Sequence, residues 1–259
     1  GVRTPLRNLW TFISARTATG AYDSTTVSVT IAAPFATIVS RNLAADGSPL
    51  TGGATQAGFD GPLQDIKAAQ NGGSTVAYLT TDGRLYSVNG SLLAKGVGAF
   101  ASSVEPDGAL TVFWAQKGDV FRRTVDGAGG PQGSTERLFT AAAPIREIRG
   151  AWNEVSCIGI LDERGNLYSV GGVVIATSVT AFGPQADFQR KRYLTYATKS
   201  GSVTTVFRQT VDEAGAPIDA AATVFSVDDD VAEMQMSANY GARSQNSIGA
   251  MRTDRGGLY

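Results

Sequence analysis

Histidine is absent from this chain of 259 residues. That removes the commonest general base, the Ser-His-Asp and Cys-His nucleophile systems, and most zinc and haem ligation. The chemistry that remains rests on carboxylates, cations and aromatics. Asp228, Asp229 and Asp230, with Glu233 nearby, form an acidic run whose oxygens could hold Ca²⁺, although the spacing of a dedicated calcium loop is missing. Asp82, Arg84, Lys117, Asp119, Arg164, Lys199, Asp254 and Arg255 flank short Gly-bearing turns. If those turns share one end of the fold, their charges could converge on a funnel for a polar ligand; turn chemistry alone also favours such residues. Of three tryptophans, Trp114 lies in an apolar strand, Trp10 near the start, and Trp152 at a strand end, where an exposed ring could meet a sugar or a protein. Arg190-Lys191-Arg192-Tyr193 is the one dense basic cluster and reads as a solvated turn. Cys157 sits in an apolar run and reads as a small buried hydrophobe. Gly127-Ala128-Gly129-Gly130 lacks the Lys-Ser/Thr of a phosphate loop. No carboxylate is seen to recur at a motif position, so a paired-carboxylate hydrolase has no visible signature.

The elements that must position these residues come from a repeat. Val76–Phe100 aligns without a gap on Ile158–Phe182, 82 residues later, with 11 of 25 positions identical. Val120–Pro131 matches Val206–Pro217, 86 residues later, at nine of 12 positions, and Ile38–Pro49 is a worn third copy. The strongest local pattern is an apolar strand, a Gly turn, then a strand opening Leu-Tyr or Val-Phe, as at Asp82-Gly83-Arg84-Leu85-Tyr86. Glycine supplies the positive φ of a short hairpin, and the β-branched and aromatic flanks suit pleated, half-buried surfaces.

Six such hairpins, near residues 34, 83, 118, 165, 201 and 256, leave room for four strands in every ~40 residues, the signature of a propeller blade. Central strands such as Val112-Phe113-Trp114 are apolar at successive positions, as when both faces are covered. The expected fold is all-β: a single six-bladed β-propeller over 1–259, built of three two-blade pseudo-repeats. Tight links (Asn89-Gly90, Gly171-Gly172) alternate with long Gly/Pro links (Asp126 to Ser134). An N-terminal strand around Leu6 to Ile13 is expected to complete the last blade.

Thr111-Val112-Phe113-Trp114, Val120-Phe121-Arg122-Arg123 and the Asp-x-x-Gly-x-Pro link at Asp212 to Pro217 resemble the propeller repeats of bacterial surface and bacteriophage virion proteins. That resemblance implies a fold and carries over no functional residue.

Net charge is −1, so no global field recruits nucleic acid. No apolar run approaches the ~20 residues of a membrane-spanning helix. These features together predict a non-enzymatic interaction scaffold without a cofactor. It would be a structural or attachment component of a virion or bacterial exterior, with protein partners in a larger assembly or surface glycans as ligands. No nucleic acid and no membrane insertion are expected. The location would be extracellular or virion, a cytoplasmic one remaining open. The alternatives are a lectin using Trp152, or a glycan-active enzyme with an axial carboxylate pair.

Overall fold

In a computed structural model, residues 9–16, 22–32, 35–43, 54–60, 63–70, 74–104, 109–152, 155–187, 189–237 and 248–254 are described. They form antiparallel sheets, each laid down in chain order. The first sheet contains β1 (Leu9–Arg16), β2 (Tyr22–Ala32), β3 (Phe35–Leu43) and β4 (Ala54–Asp60). The second contains β5 (Leu63–Gln70), β6 (Ser74–Thr80), β7 (Leu85–Ser87) and β8 (Leu92–Ala94). The third contains β9 (Ala99–Val104), β10 (Leu110–Gln116), β11 (Asp119–Val125) and β12 (Pro131–Thr140). The fourth contains β13 (Ile145–Trp152), β14 (Ser156–Asp162), β15 (Leu167–Ser169) and β16 (Val174–Ala176). The fifth contains β17 (Val179–Ala186), β18 (Arg192–Ser200), β19 (Val203–Val211) and β20 (Ala222–Val227). β21 (Val231–Ser237) and β22 (Ile248–Thr253) form the described part of a sixth.

The first strands of successive sheets are neighbours, β1 beside β5, β5 beside β9, and so on to β17 beside β21. The sheets therefore stand like blades around a common centre, with their fourth strands outward. This is an all-β, propeller-like repeat protein, as the 82-residue self-similarity predicts. Hairpin turns fall where expected, at 81–84, 117–118, 163–166 and 201–202; β2 pairs with β3 up to Ala32 opposite Phe35, and the expected turn near 34 lies outside the described residues. The expected hairpin near 256 lies outside the described residues.

One expectation is corrected. Leu9–Arg16 is not a fourth strand of the last sheet. It pairs with β2, Leu9 opposite Val29 and Arg16 opposite Tyr22, as the innermost strand of its own sheet. A hairpin between adjacent segments closes a far shorter loop than pairing with the far end of the chain would.

Burial lies between the blades. Leu79, Leu85, Phe100, Val112 and Trp114 pack the second sheet on the third; Phe113, Ile148, Ile158 and Ile160 pack the third on the fourth. Leu161, Phe182 and Leu194 join the fourth to the fifth, and Val206, Val231 and Met234 the fifth to the sixth. Successive residues of β10 thus point into different layers, which is why its sequence shows no polar alternation. Every residue of β14 is buried for the same reason. Trp114 is inter-blade core, as expected, and 1% exposed.

The aromatic of the Leu-Tyr or Val-Phe motif has a job within the blade. Tyr86 lies opposite Tyr78, Phe121 opposite Trp114 and Phe207 opposite Tyr196. Their ring centroids are 5.2, 5.9 and 5.5 Å apart. Such cross-strand aromatic pairs add roughly 0.5–1.5 kcal/mol beyond area burial.

The alternation of long and tight links has a physical basis. Gly129, in the long link of the third blade (φ 84°), sits where a Cβ would come within 2.5 Å of Val88 in the tight link of the second. Gly215 repeats this one unit later, at φ 84° and 2.5 Å from Ser169. Both described long links are thus seated on the tight link before them. Replacing Gly215 by Val combines a strained φ with a clash and should cost roughly 2–4 kcal/mol. Gly201→Ala, at φ 64° but with nothing within 4 Å, should cost about 1 kcal/mol. Urea unfolding midpoints of the two variants measure the difference; equal midpoints would contradict the seating.

Candidate functional site

In an up-and-down sheet, the turn between strands two and three lies at the same end as the link into the next blade. Hydrogen bonds tie the two together. Val97 N donates to Gly83 O and Val179 N to Gly165 O, each at 2.9 Å; Ile145 N donates to Lys117 O at 2.7 Å, and Asp254 N to Asp230 O at 2.9 Å. The described turn residues therefore share one face of the molecule.

On that face the charges are paired locally. Arg84 Nε lies 2.8 Å from Asp82 Oδ2, Arg137 Nη2 2.6 Å from Asp119 Oδ1, and Lys199 Nζ 2.5 Å from Asp230 Oδ1. A hydrogen bond from Thr80, then Arg84, holds the Asp82 carboxyl below its ordinary range; Thr140 and then Arg137 do the same for Asp119. Lys117 occupies the left-handed turn position, at φ 57°, and Arg164 N donates to Asp162 Oδ1. Asp254 is placed by the bond to Asp230 O described above; Arg255 and the Trp152 side chain lie outside the described parts. Asp228, Asp229 and Asp230 link β20 to β21, and Asp229 Oδ1 accepts from Asp230 N at 2.8 Å. Among the described residues no three Asp, Glu, Cys or His side chains come together as a metal-ion group.

The axial funnel has a different lining from the one expected. A cavity of about 280 Å³ opens on this face, bounded by Gln64, Asp65 and Lys67 of β5, Gly98 to Phe100, and Arg146 to Ile148 of β13. None of the turn residues singled out from the sequence lines it. Its charge comes from the first strands β5 and β13.

A carboxylate does recur, which corrects the opposite expectation. Asp65, Glu147 and Glu233 follow a register shift at the same place in β5, β13 and β21, between Leu63 and Asp65, Ile145 and Glu147, and Val231 and Glu233. Each has a cation: Lys67 at 3.1 Å from Asp65, Arg149 at 2.5 Å from Glu147, Arg252 at 3.6 Å from Glu233. The signal was in the sequence as Leu-Gln-Asp-Ile-Lys, Ile-Arg-Glu-Ile-Arg and Val-Ala-Glu-Met-Gln, spaced by 82 and 86 residues.

A second hollow, about 140 Å³, lies at the opposite face between the third, fourth and fifth blades. Phe113, Arg122, Val170, Arg192 and Asp212 line it. Arg192 Nε donates to Ser156 O at 2.8 Å and Arg122 Nε to Glu136 at 2.8 Å. Cys157 borders this hollow but is inert: burial pushes its thiol up to about 12. The basic cluster is the turn it was read as, built on Asp187 Oδ1, which accepts from Gln189 N and Lys191 N.

No family model matches the chain, and no curated protein does. Among solved structures it is similar to Sqt1 from Chaetomium thermophilum, at 16% identity over 91% of this chain and 64% of that one, TM-score 0.48. It is similar to the same protein bound to the N-terminus of ribosomal protein L10, at 15% identity over 89% and 66%, TM-score 0.49. Its likeness to the Dos1 propeller is 9% over 87% and 62%, TM-score 0.45. The chain spans less than two thirds of the length of each. Such likenesses concern fold alone, and the propeller architecture stands here on sheet order and neighbouring first strands.

Asp162 fixes one turn of the face. Burial opposes its charge, yet hydrogen bonds from Asn166, Tyr168 and the Arg164 backbone outweigh that and keep its carboxyl below the ordinary range. A depressed folded value means stability that is present above the unfolded value of about 3.9 and lost as pH falls through the folded one. Asp162→Asn should lower stability at pH 7 and flatten its decline below pH 4; an unchanged acid-unfolding profile would exclude this role.

Proposed function

We propose that the chain is a rigid, non-enzymatic interaction scaffold that presents the turn face and its axial cavity to a protein or glycan partner. The observation that carries this reading is the bonding of the face. Turns and inter-blade links are hydrogen-bonded to one another, and charged side chains are held in pairs on the face where the cavity opens. A preorganised polar surface loses little entropy when a partner docks, and its charge pattern sets specificity. The six sheets in this reading form one six-bladed ring of three two-blade units. The likeness of the repeats to virion and bacterial-surface propellers supports placing the scaffold in a particle or on a cell exterior, as a structural or attachment component.

The test is binding to isolated bacterial envelope proteins and a surface-glycan panel. Reversing three cations of the face together (Arg84→Glu, Lys117→Glu, Lys199→Glu) should weaken binding at least tenfold, while Arg122→Glu on the opposite side leaves it unchanged. Equal binding by both proteins would overturn the assignment of this face.

A glycan-active enzyme has one observation in its favour, since Asp65 and Glu147 line the same cavity. Each carboxylate is, however, salt-bridged to its own cation, whereas a general acid is built in a setting that favours the protonated form. Polysaccharide hydrolysis by the wild type, lost in Glu147→Gln, would establish that reading instead.

A further inference from the structure

The two-blade repeat contains its own template for what the axial cavity holds. In the later copy, the span runs from β13 over β17 to β21. Arg149 leaves β13, pairs through Nε with Glu147 at 2.5 Å, and crosses the axial edge of β17. Its Nη1 donates to the carbonyl of Phe182 at 3.2 Å and to that of Met234. Its guanidinium carbon lies 5.5 Å from the centre of the Phe182 ring. Arg146 reaches the same way, to Thr180 O at 2.9 Å. Arginine side chains therefore fill the axial space over β17.

In the earlier copy the span runs from β5 over β9 to β13. The repeat puts Lys67 at the place of Arg149, Gln64 at that of Arg146, Asp65 at that of Glu147, and Phe100 and Ile148 at those of Phe182 and Met234. The registers agree: Phe100 faces Trp114 as Phe182 faces Tyr196, and Ile148 faces Ile160 as Met234 faces Met251. Two guanidinium groups have thus been replaced by an ammonium and an amide. The ammonium of Lys67 is drawn back to Asp65, at 3.1 Å. The cavity of about 280 Å³ lies over β9 at this point, where Gly98 and Ala99 add no bulk.

We propose that this cavity receives the guanidinium of an arginine side chain from a partner protein. It lies over Phe100 as Arg149 lies over Phe182, donates to the axial carbonyls of Phe100 and Ile148, and meets the carboxylates of Asp65 and Glu147. Lysine cannot do this from within, because a compact ammonium lacks the planar fork that spans two carbonyls and stacks on a ring. The pocket is below the usual volume range for drug-sized ligands, which fits one side chain rather than a larger guest. The inference rests on the scaffold reading for its choice of a protein partner, and names the chemistry by which that partner is held.

The experiment is an amide-resolved NMR titration with N-acetyl-arginine methylamide, against the citrulline analogue, which has the same shape without the charge. The arginine probe should shift the amides of Gly98, Ala99 and Phe100 saturably and the citrulline probe should bind at least tenfold more weakly. Asp65→Asn should weaken the arginine probe by a similar factor. Lys67→Arg fills the cavity from inside and should abolish the shifts; if that variant does not fold, Asp65→Asn carries the test. Equal binding of the two probes, binding unaffected by these variants, or no saturable shift would overturn the proposal. Should the probe fail while partner binding still needs Arg84, Lys117 and Lys199, only the arginine site falls. Should the probe bind while that triple reversal changes nothing, the scaffold face is the part in error.

Discussion

The rest of the structure depends on sheets covered on both faces by other sheets, as the third, fourth and fifth are. Burying side chains in layers between blades removes each central strand from water on two sides. Each apolar side chain so buried is worth about 1.5–3 kcal/mol relative to exposure. With a lone cysteine, no internal disulfide can contribute. The strand sequences follow directly from this geometry. β10 can be Leu-Thr-Val-Phe-Trp-Ala because one set of its side chains enters the layer before it and the other the layer after. Outer strands escape the requirement: β12 is mostly exposed and polar, and β8 and β16 are three residues long, too short to invite another chain to pair.

What packing demands at the periphery differs from what it demands at the centre. The first strands β5 and β13 alternate a buried apolar side chain, Ile66 or Ile148, with charged ones on either side, Asp65 and Lys67 or Glu147 and Arg149. Gly98, just before β9, and Ala99 within it let the axial space widen, whereas arginines of β13 fill it over β17. The axial space is therefore lined by polar side chains, and its two repeat copies have diverged in how far these occupy it. Arg149, reaching Met234 two blades on from its own, is as much a tie across the centre as a charged residue.

The hairpins, the turn glycines and the apolar central strands were legible in the sequence because each is dictated by local backbone chemistry repeated at a fixed spacing. So was the alternation of tight and long links, although its cause, the seating of Gly129 on Val88 and of Gly215 on Ser169, needed the third dimension. The axial acids were harder to see. Asp65 lies before the gapless run that reveals the repeat, and the spacing to Glu233 lengthens from 82 to 86 residues through the longer link. A search confined to the hairpin motif therefore passes them by. The charged turn residues were correctly placed on one face, but sequence could not tell that second-to-third turns stand away from the axis while first strands border it. The role expected for the N-terminal strand was not met by its described part, from Leu9, because nothing in composition distinguishes a strand that finishes a distant sheet from one that begins its own.

The seating of long links on tight ones also says how such a chain can change its size. A single blade is not an interchangeable part, since removing one would leave two tight or two long links facing each other, with a misfitted junction between them. The interchangeable part is the couple. Duplication or loss of a segment of this length would keep every junction of the right kind, so repeats built this way should be gained and lost as two-blade couples.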